Sequence, residues 1–395
     1  MRKSPIPIIV IAELFGASLW FSANAAAPDL ARDWGASVAD IGFLTNAVQL
    51  GFILGALGVS LSGIADRYAA SRIFAASAVL GALFNAGFAI FPSDVHGAAA
   101  YRFGVGLCLA GIYPLGMKLI VGWAPERAST ALAHLVGMLT LGTALPHATR
   151  ALGSDWPWQA AILASSMLSL VAAAMILALG DGPHFRRAAN APRIAAGQSF
   201  AAFRVRAFRA SAFGYFGHMW ELYAFWALVP VLVAAAGLDA ALGVGNGWLS
   251  FAIIGIGAAG CMLGGRLSRS YGSARVAAVA LAVSGACCLA FPLFDVAGPL
   301  LVMAFLLVWG TAVVADSPQF SALSAQACPP ELVGGALAIQ NAIGFAITLA
   351  AIALGTAAFD TLGTRVAWLL LPGPILGLIG LAPLWRPVAT KMRNP

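Results

Sequence analysis

Charge is what this sequence has least of: 9% of its 395 residues are Asp, Glu, Lys or Arg, against 61% apolar. That balance excludes a water-soluble chain of two or three domains, each of which would need a charged surface. Acids are the scarcer sign, 15 against 22 basic residues. Cysteine is rare as well. Cys108, Cys261, Cys287, Cys288 and Cys328 lie in or at the ends of apolar runs, without metal-type spacing or an obvious extracytoplasmic pairing, and read as packing residues. The patterns H-E-x-x-H, G-x-S-x-G and the P-loop are missing, which argues against an enzyme. The apolar runs also lack two-residue alternation, and an open sheet cannot satisfy its backbone in lipid, so strands are excluded.

What is present is a series of apolar runs of roughly 20 residues, the length that crosses a bilayer as helix. The predicted spans are 6–27, 39–61, 73–92, 98–122, 130–150, 158–180, 210–235, 247–267, 275–293, 298–322, 334–357 and 365–385. Twelve helices make this an all-α membrane protein. The start, "MRKSPIPIIVIAELFG" with "SANAAA" beyond it, imitates a secretory signal. Glu13 interrupts its apolar run and removal would leave an odd number of spans, so it is read as an uncleaved first helix.

Basic residues set the orientation. Arg32, Arg150 and Arg365 fall on one side and Arg102 and Lys118 inside the fourth span, while the other 17 of the 22 gather on the side of the amino terminus. The positive-inside rule makes that side cytoplasmic, so both termini are expected in the cytoplasm and the chain in the inner membrane. The net charge of +7 is then a product of topology, and nucleic acid is not an expected partner.

The longest connector, "GDGPHFRRAANAPRIAAGQSFAAFRVRAFR", divides the spans six and six. The expected units are 1–181, a cytoplasmic linker at 182–209, and 210–395. Within the linker, Phe200, Phe203 and Phe208 alternate with Arg204, Arg206 and Arg209, a pattern that suits a short helix on an anionic membrane surface. A weak repeat supports the division. "SGIADRYAASR" from Ser62 aligns with "GRLSRSYGSAR" from Gly265 at an offset of 203, and "PERASTALA" from Pro125 aligns with "PELVGGALA" from Pro330 at 205.

The first of these stretches resembles the loop between helices 2 and 3 of the major facilitator superfamily, roughly G-x-L-A-D-R-x-G-R-R. Asp66, Arg67 and a downstream Arg72 are kept, whereas Ser62 replaces the first glycine and Ala69 and Ala70 stand for glycine and arginine. The fourth span is similar to the family in Arg102, Gly106 and Gly111, followed by "PER". The resemblance implies two pseudo-symmetric six-helix bundles rocking about a midplane site, with helices 1, 4, 7 and 10 lining the cavity. It also implies a gate at Asp66 and Arg67, although a solvated turn with topogenic arginines accounts for the loop as well.

Ionisable groups inside a span are costly and should face a cavity or a partner. Glu13, Glu221 and Asp316 lie in the first, seventh and tenth spans, and Arg102 and Lys118 in the fourth. All five occupy the helices the resemblance assigns to the cavity. Helical spacing puts Glu13, Trp20 and Asn24 on one stripe, His218 and Glu221 on another, and Trp309 and Asp316 on a third with Gln319 adjacent. Thr140, Thr143 and His147 share a side of the fifth span. Pro114 and Pro318 should bend helices near Tyr113, Asp316 and Gln319. Glu221, near the midplane, leads as proton carrier, with Asp316, Glu13 and His218 as further coupling groups; the alternative is a Glu221–His218 pair that only fixes packing. Lys118 and Asp316 form a candidate gate, while Lys118 could equally snorkel to the interface or bind an anion.

The function expected is proton-coupled transport of a small solute by alternating access, foremost symport of a small anion held by Arg102, Lys118, His147 and His218. The rings of Trp20, Tyr113, Trp220, Tyr223, Trp226 and Trp309 suit the alternative, proton-driven efflux of drugs or other apolar compounds. Against efflux, "GMLTLGTALPHATRA" does not meet the antiporter pattern G-x-x-x-G-P-x-x-G-G. Metal-ion transport through the H-x-x-E of His218 and Glu221 is a minor alternative, since metal sites need three or four ligands. No cofactor and no bound metal is expected, and a monomer in lipid with protons and a small molecule as partners.

Overall fold

The computed structural model describes residues 4–185, 199–294, 298–329 and 332–385. Outside them lie most of the expected linker, the basic residues Arg2, Lys3, Arg186, Arg187, Arg193, Arg386, Lys391 and Arg393, and the start of the second "PELVGGALA" copy. Among the described residues all regular structure is helical. In chain order the spans are α1 (Ile6–Ala17, continued by Ser22–Ala25), α2 (Val38–Ser62), α3 (Ala70–Ile90), α4 (Val95–Trp123), α5 (Ala128–Leu152), α6 (Trp158–Leu179), α7 (Arg206–Ala235), α8 (Asn246–Tyr271), α9 (Ser273–Ala290), α10 (Pro299–Ala327), α11 (Val333–Leu362) and α12 (Pro372–Trp385). The helical stretch Val333–Trp385 runs 53 residues, about 80 Å at the helical rise, too long for one crossing. Gly363, at φ 53°, ends α11 and lets the chain turn back.

Short connectors carry the start signals. Ser37 accepts from the Asp40 amide while Asp40 accepts from the Ser37 amide, a reciprocal capping box that opens α2. Asp94 accepts from the Gly97 amide at 2.8 Å to open α4. Among the described residues four of these spans are interrupted: α1 at 18–21, α4 at 110–112, α8 at Ile256 and α10 at Asp316. Pro114 and Pro318 explain two of these breaks, because proline fits the first turn of the resumed helix and not its interior.

Helices α1 to α6 pack chiefly on one another and α7 to α12 do likewise, while the two sets meet along α2 with α11 and α5 with α8. Close approach rests on small residues. A Cβ at Gly51 would meet the Phe103 carbonyl and one at Gly106 the Val48 carbonyl, so α2 and α4 touch backbone to backbone. Between the sets, Asn46 donates to the Leu349 carbonyl at 3.0 Å and Arg269 to the Thr130 hydroxyl at 3.3 Å. By alternation of the spans, the start of α1, residues 180–185 and residues 199–206 share one end, the connector end. At the far end Arg150 holds Asp29 bidentately at 2.7 and 2.9 Å, and Arg32 adds a third bond at 3.0 Å. Burial works against ionisation of Asp29, but the two guanidinium groups outweigh it and keep its carboxyl below the usual range.

The expected surface helix at 199–209 is not what forms. Residues Phe200–Arg204 make one 3-10 turn, and α7 begins at Arg206, before the predicted start at 210. Phe208 is buried in α7 against Ala202 and Cys328, so its ring packs on protein and only Phe200 is exposed.

Candidate functional site

Between the two helix sets lies a cavity of about 130 Å³. Its walls come from α4 (Tyr113, Met117), α5 (Thr140), α7 (Tyr215, His218, Met219, Tyr223, Trp226), α10 (Ser317, Ser321) and α11 (Gln340, Asn341, Phe345). The wall residues towards the far end, Tyr223, Trp226 and Phe345, are buried, whereas Met117, Ser321, Leu337 and Asn341 are partly or fully exposed. The cavity therefore opens at the connector end.

Aromatic rings from both sets close the other end. Trp20 lies 5.0 Å from Phe52, 5.6 Å from Tyr223 and 5.9 Å from Phe345. Phe21 meets Trp226 edge-on at 6.0 Å. Trp20, Phe21 and Phe52 belong to the first set and Tyr223, Trp226 and Phe345 to the second, so this roof must separate if the far end opens. Tilted and edge-on pairs at such distances attract beyond their buried area.

His218 is the basic group among the described residues of the cavity wall. Its Nδ1 lies 2.8 Å from Asp316 Oδ1 at the α10 break, and its Nε2 has no hydrogen-bond partner among the described residues. Glu221, one turn on, faces elsewhere. Ser284 donates to its Oε1, Trp309 Nε1 does so at 2.7 Å and Cys288 Sγ at 3.2 Å, tying α7 to α9 and α10. The His218–Glu221 pair, the alternative to a proton-carrier role for Glu221, does not form, and the expected shared cavity stripe is corrected: α7 is covered on both sides, and residues three apart meet different neighbours. The same divergence keeps the two side chains from facing one point, as the H-x-x-E reading would need.

Arg102 is fully buried and turns away from the cavity. It donates to the Leu19 carbonyl at 3.1 Å, Ser22 Oγ at 3.0 Å and Asn85 Oδ1 at 2.9 Å, and also to the Trp20 carbonyl. The carbonyls of residues 19 and 20 are those freed by the α1 break, so Arg102 fills the gap the interrupted helix leaves. Trp309 packs tilted against Phe225, with ring centroids 4.5 Å apart, and donates to Glu221. Asn24 bonds Thr45 at 2.9 Å, Gln319 is buried towards Gly264, and His147 is buried beside Gly247 of α8; none of these lines the cavity. Glu13 sits under Gly116 and Leu135, buried, with neither carboxyl oxygen bonded among the described residues.

Lys118 pairs with Asp66 at 2.7 Å and with the Ala65 carbonyl, not with Asp316. Both partners belong to the first helix set, and the pair is partly exposed; Arg67 is exposed. In this structure, open at the connector end, Lys118 links α4 to the α2–α3 loop, a pair worth at most about 1 kcal/mol at such exposure. Lys118→Asp with Asp66→Lys is expected to recover transport lost in each single change, and Lys118→Asp with Asp316→Lys is not. Initial uptake rates of the two double mutants decide between the pairings.

Of the sequence-predicted cavity residues, the structure brings Tyr113 and His218 to the wall, sets Asp316 behind His218, and puts Trp20 in the roof. Gln340 and Asn341 on α11 are an addition. Their signal was present as two adjacent amides in the apolar run "ALAIQNAIGF".

The family model described as Major Facilitator Superfamily matches residues 9–351. The chain is similar to the 4-hydroxybenzoate transporter PcaK of Pseudomonas aeruginosa, 32% identical over 154 residues, covering 38% of this chain and 34% of that protein. It is also similar to the niacin transporter NiaP of Acinetobacter baylyi, 35% identical over 99 residues, covering 25% and 22%. The chain thus spans about a third or less of the length of these relatives. Two solved structures share its fold at 14% identity and a TM-score of 0.72. They are the nucleoside transporter NupG, covering 96% of this chain and 98% of that one, and the proton:xylose symporter XylE, covering 98% and 97%.

Proposed function

The chain belongs to the major facilitator superfamily, and from that premise we propose that it carries a small aromatic acid across the membrane together with a proton. It is an integral membrane protein, and its relatives are transporters and not enzymes. The observation that carries the reading is His218, a residue of the cavity wall whose Nδ1 lies 2.8 Å from Asp316 Oδ1 and whose buried Nε2 has no partner among the described residues.

A carboxylate beside Nδ1 keeps the hydrogen on that nitrogen, so Nε2 of the neutral ring presents a lone pair. A lone pair repels an incoming carboxylate, whereas the imidazolium offers it an N–H and a charge. Anion and proton are then bound together or not at all, and each favours the other by the same factor. One proton with one monocarboxylate crosses without net charge.

The remaining walls support a flat ring. Tyr113, Tyr215, Tyr223, Trp226 and Phe345 supply faces and edges, Met117 and Met219 adaptable thioethers, and Gln340, Asn341 and Thr140 polar groups for a ring substituent. About 130 Å³ leaves room for a single ring. The names of both relatives carry such a compound, since 4-hydroxybenzoate and niacin each have one aromatic ring and one carboxyl group. Arg102 and Lys118 are engaged elsewhere, which leaves the anion to His218. In this reading the connector end is cytoplasmic, the membrane is the inner one, and Glu13 and Glu221 stand outside the proton route.

Purified protein in proteoliposomes tests the reading. Uptake of labelled benzoate or nicotinate should rise with an inward proton gradient and collapse with an uncoupler. Drug efflux, the competing function, requires the reverse: accumulation of a cationic or apolar compound that increases when the gradient is removed.

A further inference from the structure

A second concavity lies outside the transport path, on the surface that faces lipid. It is a groove of about 640 Å³ between α8, α9 and α10, with almost wholly apolar walls. Gly260 and Gly264 let α8 settle on the Thr311 and Ala315 carbonyls of α10, so the floor lies deep, while Leu263, Val279 and Val308 form exposed rims. Tyr271 and Arg275 head the groove at the connector end. Arg275 is exposed and makes no ion pair or hydrogen bond among the described residues. From Arg275 to Val283 the α9 wall descends about 12 Å at the helical rise, close to the depth of one hydrocarbon leaflet, about 15 Å.

The α10 segment behind this groove has two faces. Val314 lines the transport cavity and Ala315 the groove, and the next residue, Asp316, is both the helix break and the neighbour of His218. We propose that the groove holds one acyl chain of an anionic phospholipid, with its phosphate on Arg275, and that this lipid braces α10 at the break.

Two features select such an occupant over passing bilayer contact. The deep floor takes a chain out of the layer of exchanging lipids, and an unpaired cation stands where headgroup phosphates lie. Asp316 is both the α10 break and the neighbour of His218 on the cavity wall, so a chain packed behind the break that favours one arrangement of α10 shares free energy with transport. The inference does not depend on which solute is carried.

Native mass spectrometry of the detergent-purified protein, titrated with dioleoylphosphatidylglycerol, counts retained lipids. Arg275→Gln should weaken the tightest lipid about fivefold, the effect of one basic contact. Val279→Trp, which fills the groove from its rim, should abolish that site, and dioleoylphosphatidylcholine should compete poorly for it. Thermal unfolding checks that both variants are folded. In vesicles, substrate counterflow by the wild type should differ between phosphatidylglycerol and phosphatidylcholine, and Val279→Trp should lose that difference. Wild-type retention by Val279→Trp would overturn the groove as the site. Equal competition by phosphatidylcholine would overturn the headgroup assignment, and a lipid-independent wild-type rate would overturn the brace.

Discussion

Replacing His218 with glutamine is expected to uncouple the protein. Glutamine offers a donor to Asp316 or to the substrate but cannot take up a proton, so anion and proton no longer bind as a pair. Uptake under a proton gradient should fall to the rate set by the substrate gradient alone. Loss of a charge-assisted hydrogen bond of about 1.5–3 kcal/mol should weaken substrate binding roughly 10- to 150-fold. In the wild type, each bound anion should bring one proton with it, read as proton uptake from a weakly buffered solution on adding substrate; in His218→Gln that uptake should vanish. The substitution also leaves Asp316 buried with an altered partner, so His218→Gln with Asp316→Asn serves as the control that restores a neutral, foldable pair. Uptake by folded His218→Gln that still concentrates substrate and still responds to an uncoupler would remove His218 from coupling.

The second large effect belongs to Arg102. Its bonds to the Leu19 and Trp20 carbonyls, Ser22 and Asn85 join α1, α3 and α4 around the interruption in α1. Arg102→Met would take the guanidinium donors away from these buried acceptors, leaving them Ser22 Oγ alone to share, an expected cost of about 3–5 kcal/mol. Trp20 leads directly from that interruption, so the roof over the cavity should loosen with it. Thermal unfolding should show the loss, and a thiol probe on a cysteine introduced at Ala26 should react faster. Arg102→Lys keeps the charge but not the fork that reaches several acceptors, and it should fall between wild type and Arg102→Met in stability while leaving substrate affinity unchanged. An affinity loss in folded Arg102→Lys without a stability loss would return Arg102 to the role of anion ligand.

The course of the chain was legible because apolar runs of bilayer length leave little choice of structure, and because Pro114 and Pro318 mark where two of them break. The buried charges were legible for the same reason: few groups are so conspicuous as Glu13, Arg102 or Asp316 in an apolar run. Which neighbour each charge faces was not. Glu221 meets Ser284, Cys288 and Trp309, and Arg102 meets Asn85, residues of other helices whose proximity no spacing within one helix encodes. A stripe on α7 names a side only when another side is exposed, and α7 is covered almost throughout by protein. Lys118 and Asp66 needed the α2–α3 loop to fold under α4 before their pairing could be seen. Gln340 and Asn341 carry no charge, so a reading led by ionisable groups passes over the helix that supplies the cavity with two amides.

The six rings above the cavity bear on proton leakage. Protons cross a protein along continuous files of water or exchangeable groups, and a tightly apolar constriction breaks such a file by shedding water. Trp20, Phe21, Phe52, Tyr223, Trp226 and Phe345 are all buried between the two helix sets, with ring centroids of neighbouring pairs as close as 4.4 Å. While the mouth at the connector end is wetted, this layer acts as an insulator. In the proposed proton-coupled cycle its tightness, more than the strength of any charge pair below it, would set how little of a proton gradient is wasted in each idle moment between loads.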